Sequence, residues 1–170
     1  MQIAWFVLGA FVVIAIAEMI LSAKWSPFYV TKGIPVFIRR IDRPQGLAGV
    51  DLEALAKSAA TVAGAPFLFR WFGDDTIAFR EKSFSGAIHY FSLMRGLIRR
   101  RAGEPQVVVT GLLSWWALAL LAGLVIILGR NIKDVVFYPV AAYAVLYFIQ
   151  AVRFNRIAKA LRSGERKVDA

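Results

Sequence analysis

The chain has 170 residues, of which 59% are hydrophobic and 14% aromatic, and it carries a formal net charge of +10. It contains no cysteine and one histidine, which excludes disulfides, thiolate catalysis and cysteine-ligated zinc, and leaves a histidine-based metal site no second imidazole. We therefore expect neither a metal nor a cofactor. The apolar content lies above the usual range of soluble globular proteins and predicts a membrane protein.

Three apolar segments approach the roughly 20 residues that a helix needs to cross a bilayer. They are residues 3–23, 112–129 and 135–152. The predicted fold is a three-helix membrane protein of the α+β class, in which one helix packs on about four to six antiparallel strands. Its predicted parts are a transmembrane helix (1–23), a β-rich cytoplasmic domain (24–110), two further transmembrane helices (111–152) and a basic amphipathic tail (153–170).

The first apolar segment contains one acid, Glu18, within the stretch AIAEMILSAKW. Residues 15–17 read Ala-Ile-Ala, which could end a cleaved signal peptide, but the chain start MQIAWF lacks the basic residue that such a peptide normally carries. We therefore expect Glu18 to stay within the membrane, either as a proton or ligand site or, more simply, as a hydrogen-bonding group between helices. The predicted polar groups at similar depth are Ser114, Tyr147 and Gln150.

The segment after the first span has the pattern of a small α+β domain. Short aromatic and β-branched runs between residues 27 and 41 predict two strands, and Asp51 is a natural N-cap for a helix that follows it. A Gly-Asp-Asp turn and a later RAGEP turn each separate two runs with strand-like alternation, which predicts two hairpins.

The sequence lacks the common nucleotide-binding, metalloprotease, nucleophile-elbow and EF-hand motifs. Asp74 and Asp75 could bind a cation or act as paired carboxylates, but a Gly-Asp-Asp turn between strands is usually chosen for its backbone geometry. His89 could be a general base, but no serine or acid accompanies it at a recognisable spacing, which favours a structural or surface histidine. Several cations could converge on one sheet face and bind phosphate, a lipid headgroup or an acidic surface, or could simply form a solvated face. They are Arg70, Arg80, Lys82, Arg95, Arg99, Arg100 and Arg101.

The distribution of basic residues predicts an orientation in the membrane. Thirteen Lys and Arg lie between residues 24 and 110, two lie in 130–134, and six lie from 153 onward. The positive-inside rule then predicts a multi-pass inner-membrane protein with a periplasmic N-terminus and with the central domain and C-terminus in the cytoplasm. The tail repeats a cation every three residues, as expected for a helix on anionic headgroups. These cations are Arg153, Arg156, Lys159 and Arg162.

Three functional hypotheses follow. The leading one is a non-catalytic inner-membrane accessory or regulatory protein, of bacterial type, that binds a protein partner or anionic lipid. The alternatives are a lipid- or phosphate-handling membrane enzyme that uses the basic strand face, and a transport or proton-linked component centred on Glu18. Expected partners are a bilayer with anionic headgroups and a membrane protein or a second copy of the chain. Nucleic acid is not expected, because aromatics are not clearly interleaved with the cations.

Overall fold

The computed structural model describes residues 2–60, 65–82, 92–101, 103–128 and 137–165. Within these ranges the chain forms helices and strands in a mixed order. They are α1 (Gln2–Ala23), α2 (Pro27–Thr31), β1 (Pro35–Asp42), α3 (Leu52–Ala59), β2 (Phe67–Trp71), β3 (Thr76–Glu81), β4 (Met94–Arg100), β5 (Gln106–Leu113), α4 (Trp115–Leu128) and α5 (Phe137–Glu165).

The five strands form one antiparallel sheet in the order β1-β5-β4-β3-β2. The strands β2 to β5 form a meander in which sequence neighbours pair, as the two predicted hairpins require. The first strand, β1, pairs with the last strand, β5, so that Arg40 lies opposite Val108. The pairing of β1 with β5 therefore joins residues that are far apart in the sequence.

One face of the sheet carries the main hydrophobic core. Ile77 and Phe79 alternate along β3 toward this face, and both are almost fully buried. The second half of α5 covers them with a stripe at helical spacing that comprises Phe154, Ile157, Ala158 and Leu161. The apolar side of the predicted amphipathic tail therefore packs on the sheet, and α5 continues through residue 152 without a break.

Among the described residues, α2 covers the middle strands of the second sheet face. There, Tyr29 and Val30 lie over Ala78 and Leu97, and all four are buried. Ile38 lies in the same cross-strand row on the edge strand β1 and is 59% exposed. The β1 side of this face is therefore exposed where the structure describes it.

Local signals explain two of the helices. Asp51 caps α3 by accepting hydrogen bonds from the backbone N–H groups of Glu53, at 2.8 Å, and Ala54, at 3.3 Å, which confirms the prediction. Residues 27–31 were expected to be extended and instead form α2. Its first residue is Pro27, whose fixed φ and missing N–H suit the first turn of a helix.

The predicted transmembrane architecture is wrong. Among the described residues, no helix combines the length and the apolar character that crossing a bilayer requires. The predicted fold class of three transmembrane helices, the membrane classification and the multi-pass inner-membrane location all fail with it. What remains of the fold class is an α+β arrangement built on a five-stranded antiparallel sheet.

The physical reason differs for each apolar segment. The end of α1 belongs to the domain's packing, because Glu18 is 4% exposed and bonded to residues outside the helix. Within the described residues, α4 has 14 residues, or about 21 Å at 1.5 Å per residue, less than the roughly 30 Å of a hydrocarbon core. The apolar half of α5 continues directly into a half that packs on the sheet and carries the buried cation Arg153.

Candidate functional site

A buried carboxylate joins α1 to α2 and α4. Glu18 accepts a hydrogen bond from the hydroxyl of Tyr29 and another, at 2.6 Å, from the backbone N–H of Trp116. The guanidinium of Arg95 lies 3.8 Å from the same carboxylate. Burial, more than the neighbouring carboxylate, raises the pKa of Tyr29, which keeps its hydroxyl protonated as a donor. These contacts favour the helix-packing interpretation of Glu18.

Arg95 binds three backbone carbonyls as well as this acid. It donates to the carbonyl oxygens of Tyr29 at 2.9 Å, Leu113 at 3.2 Å and Lys32, and its guanidinium lies 3.8 Å from the ring centre of Tyr29. Burial lowers the pKa of Arg95, and the nearby Tyr29 and Glu18 offset part of that effect. This arginine was a candidate anion ligand, and the structure places it in internal bonds that hold α2 on the sheet.

A second buried ion pair joins α5 to the sheet. Arg153 pairs with Glu81 of β3 and donates to the carbonyl oxygen of Ala65, and both charged side chains are 4% exposed. The guanidinium also lies 4.5 Å from the ring centre of Phe67. Arg153 was expected at a membrane surface, and it instead lies in the core.

Of the other polar residues predicted to accompany Glu18, only Ser114 reaches its neighbourhood, through a side-chain hydrogen bond with Tyr29. Ser114 also donates to the carbonyl oxygen of Ser92 at 3.4 Å, and Gln150 donates to the hydroxyl of Ser92 at 2.9 Å and to Glu81 at 3.5 Å. Tyr147 donates to the carbonyl oxygen of Val36 at 2.9 Å, on the sheet. These bonds connect α2, the start of α4 and α5 to the sheet region.

The remaining candidate cations separate into different environments. Arg80 is half-buried and lies 5.0 Å from the ring centre of Trp25, and Arg101 pairs with Glu104 at 3.4 Å. Lys82 is exposed just beyond the end of β3. The structure therefore does not bring the seven predicted cations together.

One of them, Arg99, lies on the second sheet face near exposed side chains of β1. Strand register adds Arg40 beside it, which was not among the predicted site residues, whereas Arg70 is exposed on the opposite edge strand β2. We call the exposed side chains near β1 the open face, and it comprises Ile38, Arg40 and Arg99. Only the pairing of β1 with β5 brings Arg40 here, and no local sequence signal shows that pairing.

Asp74 and Asp75 lie at a shallow cleft of about 610 Å³ on the opposite side of the sheet end. The turn places Gly73 at a φ of +81°, and the backbone N–H of Arg100 donates to the carbonyl oxygen of Asp75 at 3.0 Å. The cleft is lined by Leu47, Ala48, Gly49, Trp71, Gly73, Asp74, Asp75 and Arg100. Arg100 is the one arginine among these residues, and His89 lies outside the described residues.

The cations predicted for the tail take two positions. Arg156, Lys159 and Arg162 are exposed on α5, whereas Arg153 is buried as described above. The exposed three lie on the solvent side of a helix whose opposite stripe packs on the sheet. They form a basic strip along the outer side of the domain.

Two of the apolar segments that were predicted to be membrane spans, 3–23 and 135–152, carry large exposed apolar side chains on α1 and α5. Phe6 is 81% exposed and Val13 67% on α1, while Phe148 is 68% exposed and Val145 59% on α5. Every exposed residue described between positions 6 and 23, and between 140 and 152, is apolar apart from the hydroxyl of Tyr147. We call this set the apolar helix surface, and its large members are Phe6, Val12, Val13, Ile16, Met19, Ile20, Val140, Val145, Tyr147, Phe148, Ile149 and Val152.

Neither metal ligation nor similarity to known proteins adds to these surfaces. Among the residues that the structure describes, no group of three or more His, Asp or Glu side chains is placed to hold a metal ion. Comparisons with protein families, curated proteins and solved structures found no match to this chain.

Proposed function

We propose that this chain is a non-catalytic accessory or regulatory protein that binds a partner protein through its apolar helix surface. The observation that carries the proposal is the exposure of large apolar side chains on α1 and α5, with Phe6 at 81% and Phe148 at 68%. Burying such side chains releases ordered hydration and stabilises a complex in proportion to the area removed from water.

The extent of this surface favours an interface. Phe6 is 81% exposed and Phe148 is 68% exposed, and a large aromatic side chain covers about 150–250 Å². A standard protein interface buries about 800 Å² on each partner, and its fully buried centre is more apolar than its rim. Exposed apolar side chains such as these suit the centre of an interface.

The chemistry of the surface favours a partner that is itself apolar and helical. At Gly9 on α1, an added Cβ would meet no atom within 4 Å, so a second backbone can approach closely at this point. The neighbouring Ala10 and Val13 are also exposed. A partner helix packed here would cover α1 without displacing any contact of the domain.

The internal bonds support a binding role over the alternatives. The predicted transport centre Glu18 is engaged by Tyr29 and Trp116, and the predicted phosphate ligands Arg80 and Arg95 lie under α2 or Trp25. Each of these groups contributes to packing. The large apolar side chains of the apolar helix surface, in contrast, are exposed, and of these the hydroxyl of Tyr147 bonds to the sheet.

The proposal is tested by the mass of the native particle. We expect the tagged chain, isolated under mild conditions, to have the mass of a stoichiometric complex, with a second copy or with another protein. The double substitution Val13→Glu and Phe148→Glu should release the chain as a monomer, because each carboxylate would have to be desolvated in the interface. Light scattering after size separation measures both masses.

A matched control separates interface loss from a general charge effect. Ser58 on α3 and Ser163 on α5 are exposed outside the apolar surface, so Ser58→Glu and Ser163→Glu add the same charge elsewhere. The control should retain the complex, and all three proteins should unfold at similar denaturant concentrations. A monomeric wild type, or a complex that survives Val13→Glu and Phe148→Glu, would contradict the proposal.

A further inference from the structure

We propose that the open face binds a phosphate group through Arg40 and Arg99. This inference is independent of the apolar helix surface, because these residues lie on the sheet and the proposed partner contacts lie on α1 and α5. It rests on strand register, on exposure and on two cations that have no ion-pair partner among the described residues.

Strand register places the two arginines on either side of one small residue. Arg40 of β1 is opposite Val108 of β5, and Val108 is opposite Arg99 of β4. Adjacent strands lie about 4.8 Å apart, so the two arginine backbones are about 10 Å apart with Val108 between them. Both side chains project from the same face, and each is long enough to reach over Val108.

The same rows place hydroxyl groups next to the arginines. Arg99 is opposite Thr76 on β3, and Thr110 lies one row further along β5, opposite both Ile38 and Leu97. Arg70 is opposite Ala78, two residues along β3 from Thr76. A ligand over Val108 would therefore meet two guanidinium groups, with the hydroxyl of Thr110 next along the same strand, whereas Arg70 lies three strands away on β2.

Arg40 and Arg99 make no ion pair with any residue that the structure describes. The acid on the same face of β1, Asp42, is two residues from Arg40 and accepts a hydrogen bond from the side chain of Gln106 at 3.0 Å. The two like charges on either side of Val108 repel one another, and an oxyanion between them relieves that repulsion.

The number of donors selects phosphate over a single carboxylate. One guanidinium group can donate two parallel hydrogen bonds to the two oxygens of a carboxylate. A phosphate group has three strong acceptor oxygens and can accept such paired hydrogen bonds from two guanidinium groups at once. Arginine is also the cation best suited to bidentate phosphate recognition. The aromatic side chains on this side of the sheet, among them Trp25 and Trp115, pack around α2, so base stacking is not part of the site.

Two sources of phosphate are open to such a site, and the experiment has an arm for each. The first arm measures calorimetric titration with inorganic pyrophosphate. The second measures co-sedimentation with vesicles of phosphatidylglycerol, against vesicles of phosphatidylcholine alone. We expect binding in at least one arm, and the arm that responds identifies a soluble phosphate or a lipid headgroup.

The substitutions test the face directly. Arg40→Gln with Arg99→Gln should weaken binding by about tenfold or more, because both charge-assisted donors are lost. Arg39→Gln with Arg100→Gln removes the same charge from the neighbouring positions, whose register places them on the opposite face. This control should change binding by less than about threefold, the level of a general charge effect on exposed sites.

Three results would overturn the proposal. One is that neither pyrophosphate nor the anionic vesicles bind the wild type. Another is that Arg40→Gln with Arg99→Gln binds as the wild type does. The third is that the control pair loses as much affinity as the site pair, which would show attraction to net charge alone. All of the variants change exposed side chains, so circular dichroism should show an unchanged fold.

Discussion

Replacing Arg153 by leucine is expected to lower the free energy of unfolding by about 3–5 kcal/mol. The substitution removes the ion pair that Arg153 makes with the carboxylate of Glu81, a side chain that is 4% exposed. It also removes the donor to the carbonyl oxygen of Ala65. Urea unfolding followed by tryptophan fluorescence measures the loss.

A double-mutant cycle separates the cost of a stranded charge from the value of the pair. Glu81→Leu alone strands the guanidinium and should also destabilise strongly, whereas Glu81→Leu with Arg153→Leu removes both charges and should be closer to the wild type than either single variant. Purely additive effects would mean that the pair contributes no coupling. That result would contradict the conclusion that the Arg153–Glu81 ion pair stabilises the packing of α5 on the sheet.

Replacing Gly96 by alanine is the second large expected effect, a loss of about 1–3 kcal/mol. A Cβ at this position would overlap the ring of Phe79, which lies flat across β4 and is 1% exposed. Phe79 packs in turn against Phe67 and Phe154, so its ring has little room to move. Thermal or urea unfolding of Gly96→Ala measures the effect.

Two comparisons make this prediction specific. Phe79→Leu in the Gly96→Ala background should cost less than the sum of the single changes, because the new methyl group occupies space that the ring leaves. Gly9→Ala serves as the control, since a Cβ there meets nothing within 4 Å and alanine favours a helix by about 0.5–1 kcal/mol over glycine. Equal destabilisation by Gly96→Ala and Gly9→Ala would show that the ring contact does not matter.

The parts of the fold that follow from neighbouring residues could be predicted from the sequence. Asp51 caps α3 through bonds to residues two and three positions away, and the Gly73 turn connects two strands that pair directly. The same local reasoning failed at residues 27–31, where aromatic and β-branched residues indicated a strand. Pro27 starts a helix there, and Tyr29 is then buried against the sheet.

The parts that depend on distant pairing could not be predicted. Arg153 was assigned to a surface because its cation repeat is periodic, but its partner Glu81 lies 72 positions away. Arg40 joins Arg99 only because β1 pairs with β5. The apolar composition of the segments predicts membrane spans. In the structure, however, the end of α1 and the second half of α5 pack into the domain.

Photo-crosslinking from single positions tests the central claim most directly. The chain has no cysteine, so Val13→Cys, Phe148→Cys and the control Ser58→Cys each provide one site for a photoreactive maleimide. We expect Val13→Cys and Phe148→Cys to form a discrete adduct with the same protein, whether a second copy or another chain, and Ser58→Cys to form none. Adducts with lipid alone, or the same protein adduct from all three positions, would contradict a partner seated on the apolar helix surface.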